Sequence, residues 1–238
     1  MKPKSSVNLD IVQENPEQRM IVFSVLKKIK EWIEFPKLCQ TNPNATFEPL
    51  HMTIQGSGGT GKTTITKLMI NSIMTLFLSN DVCVVCAPTG AAAFRVGGIT
   101  IHSFLELDIH DYGKNISNAK RQRLIQKLKH LLLLVFDERS LISMGVLGAA
   151  EHHCKQTAHG ERNKRNPWGN IPVVILMGDD YQLPSVSIGK RGHGATKIFD
   201  VHGKKRDITD ITEANGAMQF LKMGQNVVEL KKSHRIAR

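Results

Sequence analysis

Gly56-Ser57-Gly58-Gly59-Thr60-Gly61-Lys62-Thr63-Thr64 is the stretch whose reading decides the fold. It follows the strand-like run His51-Met52-Thr53-Ile54-Gln55 and precedes an apolar-periodic segment from Ile65 to Leu78, so it stands where a strand turns into a helix. A phosphate-binding loop needs that context. Glycines at 56, 58, 59 and 61 let successive backbone N–H groups curl inward, and the following helix adds its positive N-terminal end. On this reading Lys62 reaches the β- and γ-phosphates of a nucleotide, and Ser57, Thr60 and Thr64 line the same cradle. The Thr63 hydroxyl ligates magnesium, because a hard cation takes oxygen ligands. The ordinary alternative is a glycine-rich turn that happens to end in Lys-Thr, and the flanking strand and helix weigh against it. The motif marks a nucleotide site and not a reaction.

The chain has 238 residues, 41% of them hydrophobic, enough for one large domain with appendages. Its 32 Lys and Arg against 21 Asp and Glu give a net charge of +11, more than a nucleotide alone requires, which favours a polyanionic partner such as nucleic acid. Met1 to Gln18 holds no apolar core of signal-peptide type, and the apolar runs near Leu131 and Ile171 are too short to span a bilayer. An intracellular protein with reduced thiols is expected. Cys83 and Cys86 sit three apart in the strand-like run VCVVCA, so they point to opposite faces and read as core thiols. His152-His153-Cys154 with His159 could hold zinc but lacks a partner pair at ligand spacing, and solvated helix-end histidines are the preferred reading.

Residues 1–14 read as a loose polar arm. Asn15 then caps a helix with Pro16 in its first turn, Val22, Leu26, Ile29 and Ile33 along one face, and Phe35-Pro36 as its end. A connector from Pro36 to Leu50 leads into the strand before the glycine loop. A strand from Val82 to Ala87 ends in Pro88-Thr89-Gly90, followed by a short helix from Ala91 to Val96 and a turn over Thr100 to Phe104. Between Ser117 and His130 a helix carries Leu124, Ile125 and Leu128 inward. Lys120, Arg121, Arg123, Lys127 and Lys129 crowd the rest of its surface, as a solvated face or as a track for nucleic-acid backbone. Leu131 to Phe136 and Ile171 to Met177 are continuous apolar runs, as in strands buried on both faces of a parallel sheet. A helix near Val146 to Cys154 and a mobile polar loop from Thr157 to Asn170 lie between them. Ser185 to Asp207 is a second glycine- and lysine-rich loop, and a helix around Ala217 to Met223 and a strand from Asn226 to Leu230 close the series. Strands alternating with helices argue for an α/β fold with a parallel sheet and helices on both faces, whose ligands gather beyond the carboxyl ends of the strands.

Asp137-Glu138 stands at such an end. Beside a phosphate loop, Asp137 would hold magnesium, mostly through water, and Glu138 would activate the water that attacks the γ-phosphate. An exposed strand-end carboxylate pair is the plain alternative.

The ordered series GSGGTGKTT, APTGAAAFRVGGITIHSF, FDERS, GDDYQLPSV and LKKSHR resembles the PIF (petite integration frequency) family of superfamily-one, five-prime to three-prime ATP-dependent DNA helicases, from about Gln18 to Arg235. The resemblance implies a P-loop NTPase of RecA-like fold, ATP and Mg2+ as cofactors, and single-stranded DNA or DNA junctions as partners. It also implies a place in DNA repair, recombination or telomere maintenance, in the nucleus or mitochondrion. By resemblance Gln18 reads the adenine, although it has a local explanation as the capping-box partner of Asn15. Gln182 senses the γ-phosphate and Arg235 acts as a finger on it, each with the alternative of an ordinary polar or solvated residue. Thr89, Gly90, Thr100, His102 and Ser103 are the implied DNA contacts, and Phe104 either stacks a base or belongs to the core. Arg139 in FDERS and Ser185 in QLPS depart from the family pattern without removing a catalytic group.

The expected division is an N-terminal arm and helix over 1–48, carrying Gln18, and one RecA-like motor domain over 49–238. The family's second motor domain has no room in these residues, so weak magnesium-ATP binding and little unwinding are expected of the chain alone. A nucleotide-dependent DNA clamp that does not unwind is the rival reading. A P-loop kinase lacks any acceptor-substrate motif.

Overall fold

The computed structural model describes residues 15–108, 116–158, 165–179 and 211–232. Its elements run α1 (Pro16–Thr41), β1 (Leu50–Gly56), α2 (Lys62–Phe77), β2 (Cys83–Ala87), α3 (Gly90–Val96), β3 (Ile99–Thr100), α4 (Ile101–Leu105), α5 (Asn118–Leu128), β4 (Leu133–Phe136), α6 (Met144–Gln156), β5 (Val173–Gly178), α7 (Ile211–Met223) and β6 (Val227–Leu230). Short 3-10 turns occupy Arg139–Leu141 and Pro167–Asn170.

The strands form a 6-stranded sheet in the order β3-β2-β4-β5-β1-β6, and every pairing is parallel. Alternate strand residues face opposite layers. Val135 and Ile175 pack with Ile21, Val25, Ile65 and Met69 of α1 and α2. Leu134, Phe136, Val174 and Leu176 pack with residues of α4, α5, α6 and α7 and with Trp168. Burial of each such side chain contributes roughly 1.5–3 kcal/mol, so both layers hold the sheet. The alternation also puts Cys83 in one layer and Cys86 in the other, as the three-residue spacing requires. Burial pushes the Cys83 thiol up to about 12 and raises that of Cys86.

The layers depart from the sequence expectations in four places. Helix α1 does not end at Phe35-Pro36 but continues through Pro36 to Thr41. A proline weakens a helix interior, yet here Phe47 packs edge-on against Trp32 at 4.8 Å and against Phe35 at 5.6 Å, so tertiary contact holds the last turns. The buried stripe of α1 is Gln18, Ile21, Val25 and Ile29, with Val22 and Leu26 at its margin, while Ile33 is exposed. Thr100 to Phe104 is not a simple turn, since Ile99–Thr100 adds an edge strand on β2 and Ile101–Leu105 is helical. The second half of the polar segment before β5 is not loose: Trp168 is fully buried, with its ring 5.3 Å from Phe136.

The fourth concerns α6. His153 is not a solvated helix-end residue, because it lies on the inner face and its Nδ1 donates to the Leu105 carbonyl at 2.8 Å. Its neighbour Cys154 is buried as well, and among the described residues no group of three or more His, Cys, Asp or Glu gathers to hold a metal; His159 lies outside them. Helix α6 is pressed hard against α7. A Cβ on Gly148 would strike the Thr212 carbonyl, and one on Gly216 would strike that of Met144, so these glycines set the helix separation. Among the described residues no helix is long and apolar enough to cross a membrane.

Candidate nucleotide-binding site

All the polar motifs of the described strands emerge at one edge of the sheet, the carboxyl end, where parallel α/β sheets bind ligands. The glycine loop follows β1 and opens α2. Gly59 and Gly61 take left-handed φ values of 90° and 88°, which a side chain would strain. Thr60 is buried and donates from its hydroxyl to the Ser57 carbonyl at 2.9 Å, closing the loop on itself. Lys62 folds its ammonium over the loop, donating to the carbonyls of Gly56 and Ser57, the latter at 3.1 Å. Thr66 fixes the first turn of α2, donating to the Lys62 carbonyl at 2.9 Å and lying 3.3 Å from Met177 Sδ on β5. Thr63 is exposed and Thr64 half-buried at the same helix start.

Gln18 reaches this loop from α1. The Asn15 side chain accepts from the Glu17 and Gln18 amides, so the helix is capped as expected. The Gln18 side chain does not return to Asn15. It is fully buried and donates from Nε2 to the Thr60 carbonyl at 3.1 Å. The capping-box alternative is thereby replaced by a brace beneath the phosphate loop. A Cβ on Gly61 would collide with that amide.

Asp137 and Glu138 follow β4. Burial raises the Asp137 carboxyl above its ordinary range, and the charge of Glu138 adds to this; the Glu138 backbone N–H, Lys62 and Arg95 act in the opposite sense. Glu138 adopts a left-handed backbone, φ 53°, and starts the 3-10 turn. Its Oε1 accepts from Arg95 Nη2 at 3.0 Å. Sequence reading missed Arg95. It is the one charged residue between Asp81 and His102, which was the available signal.

Arg139 is buried under the site. Its Nη2 donates to Gln55 Oε1 at 3.4 Å, and its side chain fills the space beside Gly178, where a Cβ would come within 2.6 Å of Arg139 Cγ. The long cation thus ties the end of β4 to the ends of β1 and β5, a place a small apolar residue could not span.

Thr89 and Thr100 cap the short helices α3 and α4, accepting from the Ala92 and Ser103 amides at 3.2 Å each. The Thr100 hydroxyl also donates to Ser103 Oγ at 2.8 Å. Gly90 starts α3, and His102 is half-buried on α4 with its pKa lowered by burial. These five positions form one neighbourhood beyond β2 and β3. Phe104 is only 7% exposed and belongs to the core, whereas Phe94 on α3 is 88% exposed.

The helix α5 is less open a track than its sequence suggests. Glu106, from outside the helix, accepts from Arg123 at 2.7 Å and Lys127 at 2.8 Å, and Arg121 Nε donates to the Gln156 carbonyl at 3.0 Å. Its hydrogen bonds with Arg123, with Lys127 adding, hold the Glu106 carboxyl down to about 2. Gln182, Arg235 and the loop Ser185 to Asp207 lie outside the described residues.

The family profile of the PIF1-like helicase matches residues 42–201 of this chain. The chain belongs to the PIF1-like helicase family. Among relatives of this PIF1-like chain, the ATP-dependent DNA helicase PIF1 of Candida albicans is 32% identical over 156 residues, covering 61% of this chain and 16% of that protein. The fold is shared with a Pif1 helicase solved in a study of unwinding at forked double-stranded DNA, at TM-score 0.59 and 22% identity over 94% of this chain and 45% of that one. It is also shared with Bacteroides Pif1 solved with ADP-AlF3 and single-stranded DNA, at TM-score 0.52 and 26% identity over 79% of this chain and 40% of that one. The chain therefore spans a small part of the curated relative and under half of each solved chain.

Proposed function

We propose that this chain is the ATP-hydrolysing first motor domain of a PIF1-like DNA helicase, working on single-stranded DNA or DNA junctions. The observation that carries the reading is that the glycine loop with Lys62, which follows β1, and the pair Asp137-Glu138, which follows β4, emerge at the same carboxyl end of the parallel sheet. Lys62 and the loop amides hold the β- and γ-phosphates. Thr63 and Asp137 offer the hard oxygen donors that magnesium requires, and magnesium when bound neutralises charge on those phosphates. Glu138 accepts the proton of the attacking water. Gln18, which braces the loop through Thr60, also reads the adenine by family resemblance. By family resemblance Gln182 senses the γ-phosphate and Arg235 acts on it as a finger. Thr89, Gly90, Thr100, His102 and Ser103 contact the DNA backbone. The same resemblance supports a role in DNA repair, recombination or telomere maintenance, in the nucleus or mitochondrion.

The test is ATP turnover by the chain with and without single-stranded DNA, for wild type and Lys62→Ala. Turnover that rises with DNA and disappears in a folded Lys62→Ala variant is expected. DNA affinity that changes with ATP in the absence of turnover would favour the rival clamp.

A further inference from the structure

Arg95 is unusual in its setting. Helix α3 lies close on the sheet because its inner residues are Ala92 and Ala93, packed with Ala87 at the end of β2. β2 and β4 are hydrogen-bonded neighbours, with Cys86 opposite Phe136, so the last turn of α3 stands beside the residues that follow Phe136. From that turn the Arg95 guanidinium meets the Glu138 carboxylate at 3.0 Å. The Arg95 side chain is 67% exposed and that of Glu138 19%, so the arginine lies largely in solvent while the glutamate is mostly covered.

We propose that Arg95 is a charge switch that a DNA phosphate and Glu138 share, and that DNA binding frees Glu138 for hydrolysis by drawing Arg95 away. The inference rests on the function proposed above. While Arg95 donates to Glu138 Oε1, that oxygen is engaged by the guanidinium instead of by the attacking water, so the pair holds turnover down. An ion pair this exposed is weak and can exchange. A backbone phosphate is a strong competitor, since guanidinium binds it through two parallel hydrogen bonds. The competitor is near at hand, because α3 begins at Thr89 and Gly90 among the proposed DNA contacts.

The switch predicts a reciprocal effect that a supporting role for Arg95 would not produce. The affinity of the chain for a labelled oligothymidylate is measured by fluorescence anisotropy for wild type, Arg95→Gln, Glu138→Gln and the double variant, with thermal melting to confirm that each is folded. Arg95→Gln should weaken binding and Glu138→Gln should tighten it, each by about two- to fivefold, the range that a surface ion pair allows. In the double variant the Glu138 substitution should add nothing to Arg95→Gln, because no Arg95 remains to be released. Arg95→Lys, which keeps the charge, should retain most of the wild-type affinity. In turnover assays Arg95→Gln should raise the DNA-free rate and lower the fold stimulation by DNA. Tightening by Glu138→Gln that is equal with and without Arg95 is general electrostatics and overturns the switch, as does no tightening at all. A wild-type chain that fails to bind the oligonucleotide overturns the DNA reading itself, before any substitution is made.

Discussion

Gln18 and Thr60 stand 42 residues apart in the chain and are joined by a buried hydrogen bond from the Gln18 amide nitrogen to the Thr60 carbonyl. The bond fastens α1 to the underside of the phosphate loop. Removing the donor strands a carbonyl in a buried place, which costs about 1–3 kcal/mol. Gln18→Ala is therefore expected to lower the urea midpoint by a corresponding amount and to weaken nucleotide binding, since the loop loses its brace. Gln18→Glu should be at least as damaging, because a carboxylate cannot donate. A Gln18→Ala midpoint equal to wild type would refute the brace.

A second expectation concerns Gly178 and Arg139. With Cγ of Arg139 at 2.6 Å and its backbone nitrogen at 3.0 Å from the place of a Cβ, Gly178→Ala forces the arginine or the 3-10 turn to move. Overpacking of this kind typically costs about 1–3 kcal/mol. In Arg139→Ala the side-chain obstacle is gone, so the double variant should be less destabilised than the sum of the singles. Additive losses in chemical denaturation would show that the contact is not the cause.

The architecture was legible because it is written locally. Continuous apolar runs, each ending in a polar motif, specify buried parallel strands, and the glycine loop fixes where the first one meets its helix. What sequence could not show are the pairings made across the chain. Nothing near Arg95 indicates Glu138, and nothing within α5 indicates that Glu106 will engage Arg123 and Lys127. His153 looked solvated because a helix carries no mark of which face its neighbours will cover. The extension of α1 through Pro36 depended on Phe47, which lies beyond the helix. The glycine loop, Asp137 and Glu138 could be read as candidates because they are contiguous motifs, whereas the buried contact of Gln18 with Thr60 required the fold.

His153 gives a pH dependence. Burial pushes its imidazole down to about 4, with Lys120 and His152 acting in the same direction and the Leu105 carbonyl and Glu106 opposing. In the unfolded chain the ordinary value is 6.5. Between the two values the unfolded state binds more protons, so stability falls as the pH is lowered through that window. Each fully titrating group contributes a slope of up to about 1.4 kcal/mol per pH unit. His51, also held down to about 4 by burial and then by Lys222, acts with the same sign. His153→Asn keeps an N–H for Leu105 without the titration. It should flatten the loss of stability from pH 6.5 to 4, measured by denaturation at each pH; a slope equal to wild type would exclude His153 as a source.

The last expectation separates the two phenylalanines of the APTG to TIHSF segment. Phe104 is 7% exposed within the layer of Ile101, Leu105 and Leu128, so Phe104→Ala removes core packing and should cost about 3–5 kcal/mol. Phe94 is 88% exposed, and Phe94→Ala should leave stability within about 0.5 kcal/mol of wild type. A base stacks only on a ring face that solvent can reach. On the proposed function, therefore, Phe94 is the aromatic that meets DNA, and its loss should weaken oligothymidylate binding by up to about 1–3 kcal/mol while the melting temperature stays put. Phe104→Ala, compared at equal folded concentration, should bind as wild type does. The reverse pattern, with affinity lost at Phe104 and kept at Phe94, would place the base-stacking face elsewhere on the segment.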